Sequence, residues 1–233
     1  MREYHKIETL FERDEKTKKL IVGQYRNSTV EFLRNCDWQF TEKVDGTNIR
    51  VHWDGHKVEF GGRTDKAQIP THLLSKLEEL FGSYENEQIF EQRFGEKDVI
   101  LFGEGYGRKI QKGEEYRDDV SFILFDVMIN GYYQPRISVE YTASYFGIDV
   151  VPIVLEGNLQ QGIDYVLNNR NSIIAKNGAQ LEGLVARPKM EMLDRMGNRV
   201  IVKIKYRDFC EIDWNEALKR KPELLAKLNK MGE

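Results

Sequence analysis

On either side of Asp54-Gly55 the chain alternates apolar and polar residues, Asn48-Ile49-Arg50-Val51-His52-Trp53 before the pair and His56-Lys57-Val58-Glu59-Phe60 after it. A period of two is that of a half-buried strand, and Asp-Gly between two such runs is a two-residue hairpin turn. Counting outward from the turn sets Val51 opposite Val58 and Ile49 opposite Phe60 on one face, with Arg50 opposite Glu59 on the other. That register gathers apolar groups on one side and opposite charges on the other. The fold must therefore contain an antiparallel sheet with one covered face.

Helical spacing follows Pro70, where Leu73, Leu74, Leu77, Leu80 and Phe81 recur, Thr71 is placed to cap and Gly82 to terminate. Short apolar strands are predicted at Val99–Phe102, Ser121–Ile129, Val150–Val154, Leu181–Ala186 and Arg199–Lys205. Helices are predicted at Ser138–Phe146, Gln161–Asn168 and Trp214–Lys230. Strands toward both ends with helices between them predict an α+β fold of antiparallel sheets flanked by helices. No repeat or Pro/Gly-rich linker interrupts it, so residues 1–233 read as a single domain.

Hydrophobic residues make up 40% and charged residues 31%, a globular balance. No apolar run approaches the roughly 20 residues a membrane helix needs, and the N-terminus lacks a signal peptide's apolar stretch, so the expected setting is cytoplasmic with no membrane partner. Cys36 and Cys210 are the only cysteines and lie far apart, which argues against a disulfide framework or a zinc site. The four histidines, His5, His52, His56 and His72, have no metal-ligand spacing. With a net charge of −3, contact with nucleic acid has to come from a local patch. Arg187 to Arg207 holds seven basic and two acidic residues, whereas Glu78 to Asp98 holds seven acidic and two basic ones, the pattern of a solvated helix surface.

Six segments then occur in a fixed order: Glu42-Lys43-Val44-Asp45-Gly46-Thr47-Asn48, Phe60-Gly61-Gly62-Arg63-Thr64, Leu101-Phe102-Gly103-Glu104-Gly105, Phe122-Ile123-Leu124-Phe125-Asp126-Val127, Leu181-Glu182-Gly183-Leu184-Val185 and Val200-Ile201-Val202-Lys203-Ile204-Lys205. The first resembles the K-x-D-G nucleophile motif of ATP-dependent ligases and mRNA capping enzymes, and together the six resemble the covalent nucleotidyltransferase superfamily. Thr47-Asn48, where DNA ligases carry arginine two places after the glycine, and Ile110-Gln111-Lys112 resemble the nick-sealing, phage-type branch of the ATP-dependent RNA ligase family.

The resemblance implies an adenylylation domain in which Lys43, Glu182, Lys203 and Lys205 are catalytic and Glu182 serves the metal. It further implies that Glu42, Asp45, Gly46, Asn48, Arg63, Glu104, Phe125, Asp126 and Arg187 bind the cofactor. Within that set, Lys43 attacks the α-phosphorus, Arg63 contacts nucleotide and phosphate, Glu104 the ribose hydroxyls, Phe125 stacks on adenine, and Lys203 and Lys205 reach the α-phosphate. The role of Asp45 stays open, since some nick-sealing relatives carry histidine there. The implied cofactors are ATP and magnesium, with manganese as an alternative. The implied partner is nucleic acid: RNA, as a nicked duplex or an RNA/DNA hybrid. Only 28 residues follow Lys205, too few for the C-terminal OB-fold common in such enzymes. Substrate grip would then come in part from the Arg187–Arg207 stretch and from a partner protein, or the chain would be a weak ligase by itself.

The chemistry has its own demands. A free lysine has a pKa of about 10.4, so presenting it as a neutral nucleophile at pH 7 costs about 4.6 kcal/mol. Neighbouring cations such as Arg63, Lys203 and Lys205, burial or a divalent metal would lower that cost. Fixed cations also stabilise charge on a five-coordinate phosphorus. Magnesium, which takes one or two carboxylates and phosphate oxygens, suits Glu182. Plainer readings stand beside these: Lys43 as an exposed strand-edge lysine, Phe125 as core, Lys203 and Lys205 as one side of a half-exposed strand. The functions in competition are an RNA ligase, a minimal DNA ligase, a capping guanylyltransferase, and a catalytically silent module that binds nucleotide or nucleic-acid ends.

Overall fold

The computed structural model describes residues 1–111 and 113–210, so the helix expected at Trp214–Lys230 and the residue Lys112 lie outside the described residues. In chain order the elements are β1 (Glu8–Thr9), β2 (Phe11–Arg13), β3 (Leu20–Tyr25), α1 (Ser28–Phe32), β4 (Trp38–Glu42), β5 (Thr47–Trp53), β6 (Val58–Gly61), α2 (Thr71–Leu77) and α3 (Tyr84–Phe94). They continue with β7 (Val99–Gly107), β8 (Val120–Ile129), β9 (Tyr132–Tyr133), α4 (Arg136–Phe146), β10 (Asp149–Val150), β11 (Ile153–Gly157), α5 (Leu159–Asn168), β12 (Gly183–Pro188), β13 (Val202–Lys205) and α6 (Tyr206–Cys210). The fold is mixed α+β with largely antiparallel sheets, as its sequence pattern predicts. The chain divides into two compact units, one of Met1–Lys6, Val44–Pro152 and Asn171–Gln180, the other of Ile7–Lys43, Ile153–Arg170 and the residues from Leu181 on.

In the first unit the strand order is β10-β8-β7-β5-β6, with β9 added on β8. All neighbours are antiparallel except β10, which lies parallel to β8. Ile49, Val51 and Trp53 of β5, Val99 and Leu101 of β7, and Phe122, Leu124 and Val127 of β8 form one buried face. Leu73 and Leu77 of α2, Phe90 and Phe94 of α3, and Val139, Ala143 and Phe146 of α4 pack on it. Pro70 occupies the N-cap position of α2 without a side-chain cap, and Thr71 is the first helical residue rather than the cap. A π-helical turn, Glu78–Gly82, prolongs that helix to the predicted glycine.

The β5–β6 hairpin corrects the predicted register. Trp53 pairs with Val58, His52 with Glu59, Val51 with Phe60 and Arg50 with Gly61, a shift of two residues. The turn is longer than Asp54-Gly55 because the Asp54 side chain accepts hydrogen bonds from the backbone N–H groups of His56 (2.9 Å) and Lys57 (2.9 Å), closing a four-residue loop. A shift of two preserves which face each residue takes, so the apolar side survives while the Arg50–Glu59 pair does not.

In the second unit the order is β1-β13-β12-β4-β11, with β1 parallel to β13 and the other pairs antiparallel; β2 and β3 form a separate ribbon. Trp38 and Phe40 of β4, Leu184 and Ala186 of β12, and Val202 and Ile204 of β13 face a core filled by Leu159, Ile163 and Val166 of α5 and Phe209 of α6. The Asn158 side chain and Gln161 close a capping box at the start of α5. The run predicted as one strand, Val150–Val154, is two: Pro152, without an N–H to donate, separates β10 from β11.

Candidate functional site

Alternation along the second unit's sheet sends Lys203 and Lys205 of β13 and Val185 and Arg187 of β12 to the face opposite α5, along with Gln39 and Thr41 of β4. Lys43 directly follows β4, and its N–H donates to the Gly183 carbonyl (2.9 Å), continuing the ladder by one rung. Gly183 in turn pairs with Lys205. The middle of this Lys43–Gly183–Lys205 row therefore carries no side chain. Both amines converge on the carboxylate of Glu182: Lys43 Nζ lies 2.6 Å from Oε2 and Lys205 Nζ 2.7 Å from Oε1. Gly183 has φ +152°, and a Cβ there would strike the Ile204 carbonyl and lie 2.8 Å from the Lys205 Cα. Only glycine fits.

Lys203 lies one side-chain position further along β13, about 7 Å away, in a row with Val185 and Thr41. Arg187 stands four residues beyond Gly183, about 13 Å along the strand, opposite Gln39. It is not brought to the Lys43–Glu182–Lys205 cluster. Glu42 is 2% exposed and alternates to the α5 side with Trp38 and Phe40. There burial, and after it the Glu42 charge, raises the pKa of the Tyr165 hydroxyl on α5. The basic stretch from Arg187 to Arg207 is not a uniform patch, because Lys189 pairs with Glu156 (2.6 Å), Arg199 with Glu191 (2.5 Å), Lys205 with Glu182 and Arg207 with Asp208 (3.9 Å).

In the first unit, Asn48 of β5, Glu104 of β7 and Ile123 of β8 form one row across the face turned away from the helices. The Asn48 Oδ1 is buried and has no hydrogen-bond partner among the described residues. A Cβ on Gly46 would press on the Gly105 carbonyl and lie 2.8 Å from the Glu104 Cγ, so this glycine lets the Val44–Gly46 segment close on β7. Asp45 donates its backbone N–H to the Tyr116 hydroxyl (3.3 Å). Arg63 is exposed in the loop after β6.

A β-bulge decides where Phe125 and Asp126 point. Phe102 pairs with Asp126 but Gly103 pairs with Leu124, leaving Phe125 as the extra residue. Phe122 and Leu124 lie in the helix-covered core and so does Val127, which breaks the count of two. Phe125 and Asp126 consequently both avoid that core, where an unpaired carboxylate would be costly. Asp126 instead accepts a hydrogen bond from the Tyr4 hydroxyl (2.5 Å). The Tyr4 ring meets Phe102 at 4.9 Å and Phe125 at 5.0 Å. Nothing in the sequence pattern singles out Tyr4, which lies outside every motif.

Beyond Phe125 the same unit holds a cavity of about 260 Å³ lined by Tyr106, Tyr116, Arg117, Ile123, Asp149 and Lys176 among others. Burial pushes the Tyr106 hydroxyl above its ordinary pKa against the opposing hydrogen bond from Arg117 (3.2 Å). Arg117 also holds the Asp119 carboxyl below its ordinary range. Among the described residues no group of three or more His, Cys, Asp or Glu side chains could hold a metal ion. A hard cation bound chiefly by phosphate oxygens and water needs only one or two carboxylates, and Glu182 fits that demand. Its two oxygens are shared with ammonium groups, so a cation would replace one of them.

A carboxylate shared by two lysines of separate strands, Lys43 and Lys205, and a polar face carrying Asn48 and Glu104 are the features that the motif order leads one to expect of the covalent nucleotidyltransferase superfamily. The RNA ligase family model matches residues 37–205, and the chain belongs to that family of enzymes. Among solved structures it is similar to variants of a Naegleria gruberi RNA ligase. One, with ATP and Mn, is 20% identical, covers 87% of this chain and 58% of that one, and has a TM-score of 0.59. A second, with AMP and Mn, is 18% identical over 87% and 58%, with a TM-score of 0.59. A third, with ATP and Mn, is 18% identical over 90% and 61%, with a TM-score of 0.57. The chain thus spans less than two thirds of the length of these structures. No curated protein matches it.

Proposed function

We propose that this chain is an ATP-dependent RNA ligase that works through a lysyl-AMP intermediate on Lys43. The observation that carries this reading is the convergence of Lys43 and Lys205 on Glu182, three residues from three separate motifs. In the first step the Lys43 Nζ attacks the α-phosphorus of ATP, a P–N bond forms, and the bond to the β-phosphate oxygen breaks to release pyrophosphate. In the second, a 5′-phosphate oxygen of the RNA attacks the same phosphorus and frees the lysine. In the third, a 3′-hydroxyl attacks the activated 5′-phosphate, forming the phosphodiester and expelling AMP.

The ion pair explains how the amine is held for the first step. Only the neutral amine has a lone pair to offer, so Lys43, held 2.6 Å from the carboxylate, gives up a proton to water and leaves Glu182 before it attacks. Lys205 and Lys203 then serve as fixed cations for the α-phosphate oxygens, where charge grows in the transition state. Glu182 would hold magnesium or manganese, which supplies charge neutralisation on the triphosphate. Asn48 and Glu104, adjacent on one face, are assigned the nucleoside, with Phe125 as the stacking ring and Arg63 as a phosphate contact. Arg187, which stands apart from the lysine cluster, is assigned a secondary contact to the cofactor, whereas the Glu42 carboxylate, buried on the α5 side, is assigned support of β4.

Strand choice is proposed as RNA on the 3′-hydroxyl side of a nick, following Thr47-Asn48. Incubation with magnesium and ATP labelled at the α-phosphate, followed by intact mass, tests the core of the reading. One AMP should be added to the wild type and none to Lys43→Ala. An unmodified wild type would overturn it. Sealing of nicked duplexes with RNA or DNA at the 3′-hydroxyl tests the strand, and equal sealing of both would remove the RNA preference.

A further inference from the structure

Arg50 is among the largest fully buried side chains, 0% exposed, and it stands in none of the six motifs. It lies on the polar face of β5, opposite Gly61. A guanidinium placed there needs acceptors, since desolvating it without them is costly. It has three: Nε donates to the Gly62 carbonyl (2.7 Å), Nη2 to Asp65 Oδ1 (2.9 Å), and Nη1 to the Met1 carbonyl (3.0 Å). Two of these bracket Arg63, one immediately before it and one two residues after. A Cβ on Gly61 would lie 3.1 Å from Nη2 and 3.3 Å from Nε, so the first glycine of Gly61-Gly62-Arg63 leaves the guanidinium room to pass over the strand end.

We propose that Arg50 is the positioning residue for Arg63: it pins both sides of an exposed turn to a rigid strand, so that the Arg63 guanidinium is presented to the nucleotide's phosphates in one orientation. The proposal rests on the reading of Arg63 as a phosphate contact. Its physical basis is the planar fork of the guanidinium, which can bond two points on the loop and a third on the N-terminal segment at once; an ammonium on a flexible stem cannot hold that geometry. An apolar side chain of similar size would fill the same space and leave the turn untied.

The test is a double-mutant cycle on the rate of Lys43 adenylylation, measured by labelled ATP in single-turnover conditions for wild type, Arg50→Lys, Arg63→Ala and the double variant, with thermal midpoints alongside. Arg50→Lys should cut labelling efficiency roughly tenfold, mainly as a higher ATP requirement, and by less than about twofold once Arg63 is alanine. Its effect on the thermal midpoint should be the same in both backgrounds. Equal losses of labelling with and without Arg63 would make Arg50 a purely structural residue and overturn the proposal, as would an Arg63→Ala variant that labels normally. Asp65→Asn covers a folding failure of Arg50→Lys, because Asp65 is 69% exposed and can change without disturbing the core. It should lower labelling roughly threefold, again only while Arg63 is present, and additivity there would count against the proposal. An unlabelled wild type would reveal a different failure, that of the lysyl-AMP reading itself, visible before any variant is compared.

Discussion

The two sheets use the faces turned away from their core helices in different ways. In the second unit that face carries charged groups on neighbouring strands, and its order comes from charge: a carboxylate is shared by Lys43 and Lys205. In the first unit the corresponding face is mixed, and its order comes from hydrogen bonds and rings: Tyr4 on Asp126, Phe102 and Phe125, and Arg50 on the loop after β6. On the proposed function, the contrast puts chemistry on one face and recognition on the other. Variants in the second unit should strike rate; variants in the first should strike the ATP concentration required.

The largest expected effect is that of Lys43→Ala, which removes the proposed nucleophile and should abolish adenylylation at any ATP concentration, read by intact mass. Lys205→Ala should follow with a loss of roughly a hundredfold in labelling rate, the scale of one fixed transition-state group, and little change in half-saturation by ATP. A change confined to half-saturation would break the proposed division. Gly183→Ala should destabilise the second unit by about 2 kcal/mol or more, because its φ and the Ile204 carbonyl both reject a Cβ. A thermal midpoint equal to that of the wild type would show that the Lys43–Gly183–Lys205 row can relax. Tyr4→Phe should have the smallest effect on labelling, leaving the buried Asp126 without one donor at a stability cost of about 1–3 kcal/mol. It should raise ATP half-saturation severalfold while the maximal rate stays within about twofold. Loss of maximal rate there would give the first unit a share in the chemistry.

Much of this arrangement is legible in the chain. Alternation placed Lys203 and Lys205 on one face and put Ile49 and Val51 on a covered one. The helices at Ser138–Phe146 and Gln161–Asn168 begin two residues early, at Arg136 and Leu159, since Pro135 and Asn158 supply the N-cap positions. Other features escaped for reasons of range. The Asp54 side chain lengthened a turn that its dipeptide resembles in shorter form. The seven cations from Arg187 to Arg207 looked like a patch because Glu156 and Glu182, which neutralise two of them, lie outside that window.

From the sequence alone came the candidate site residues and the face each strand residue occupies, because side-chain direction repeats every two residues and is settled locally. The tertiary structure alone decided which groups meet. Glu182 stands 139 residues from Lys43, and only the β4–β12–β13 ladder brings the two together with Lys205. The bulge at Phe125 likewise resets the alternation at a single residue, a choice made by pairing with β7 rather than by any local preference.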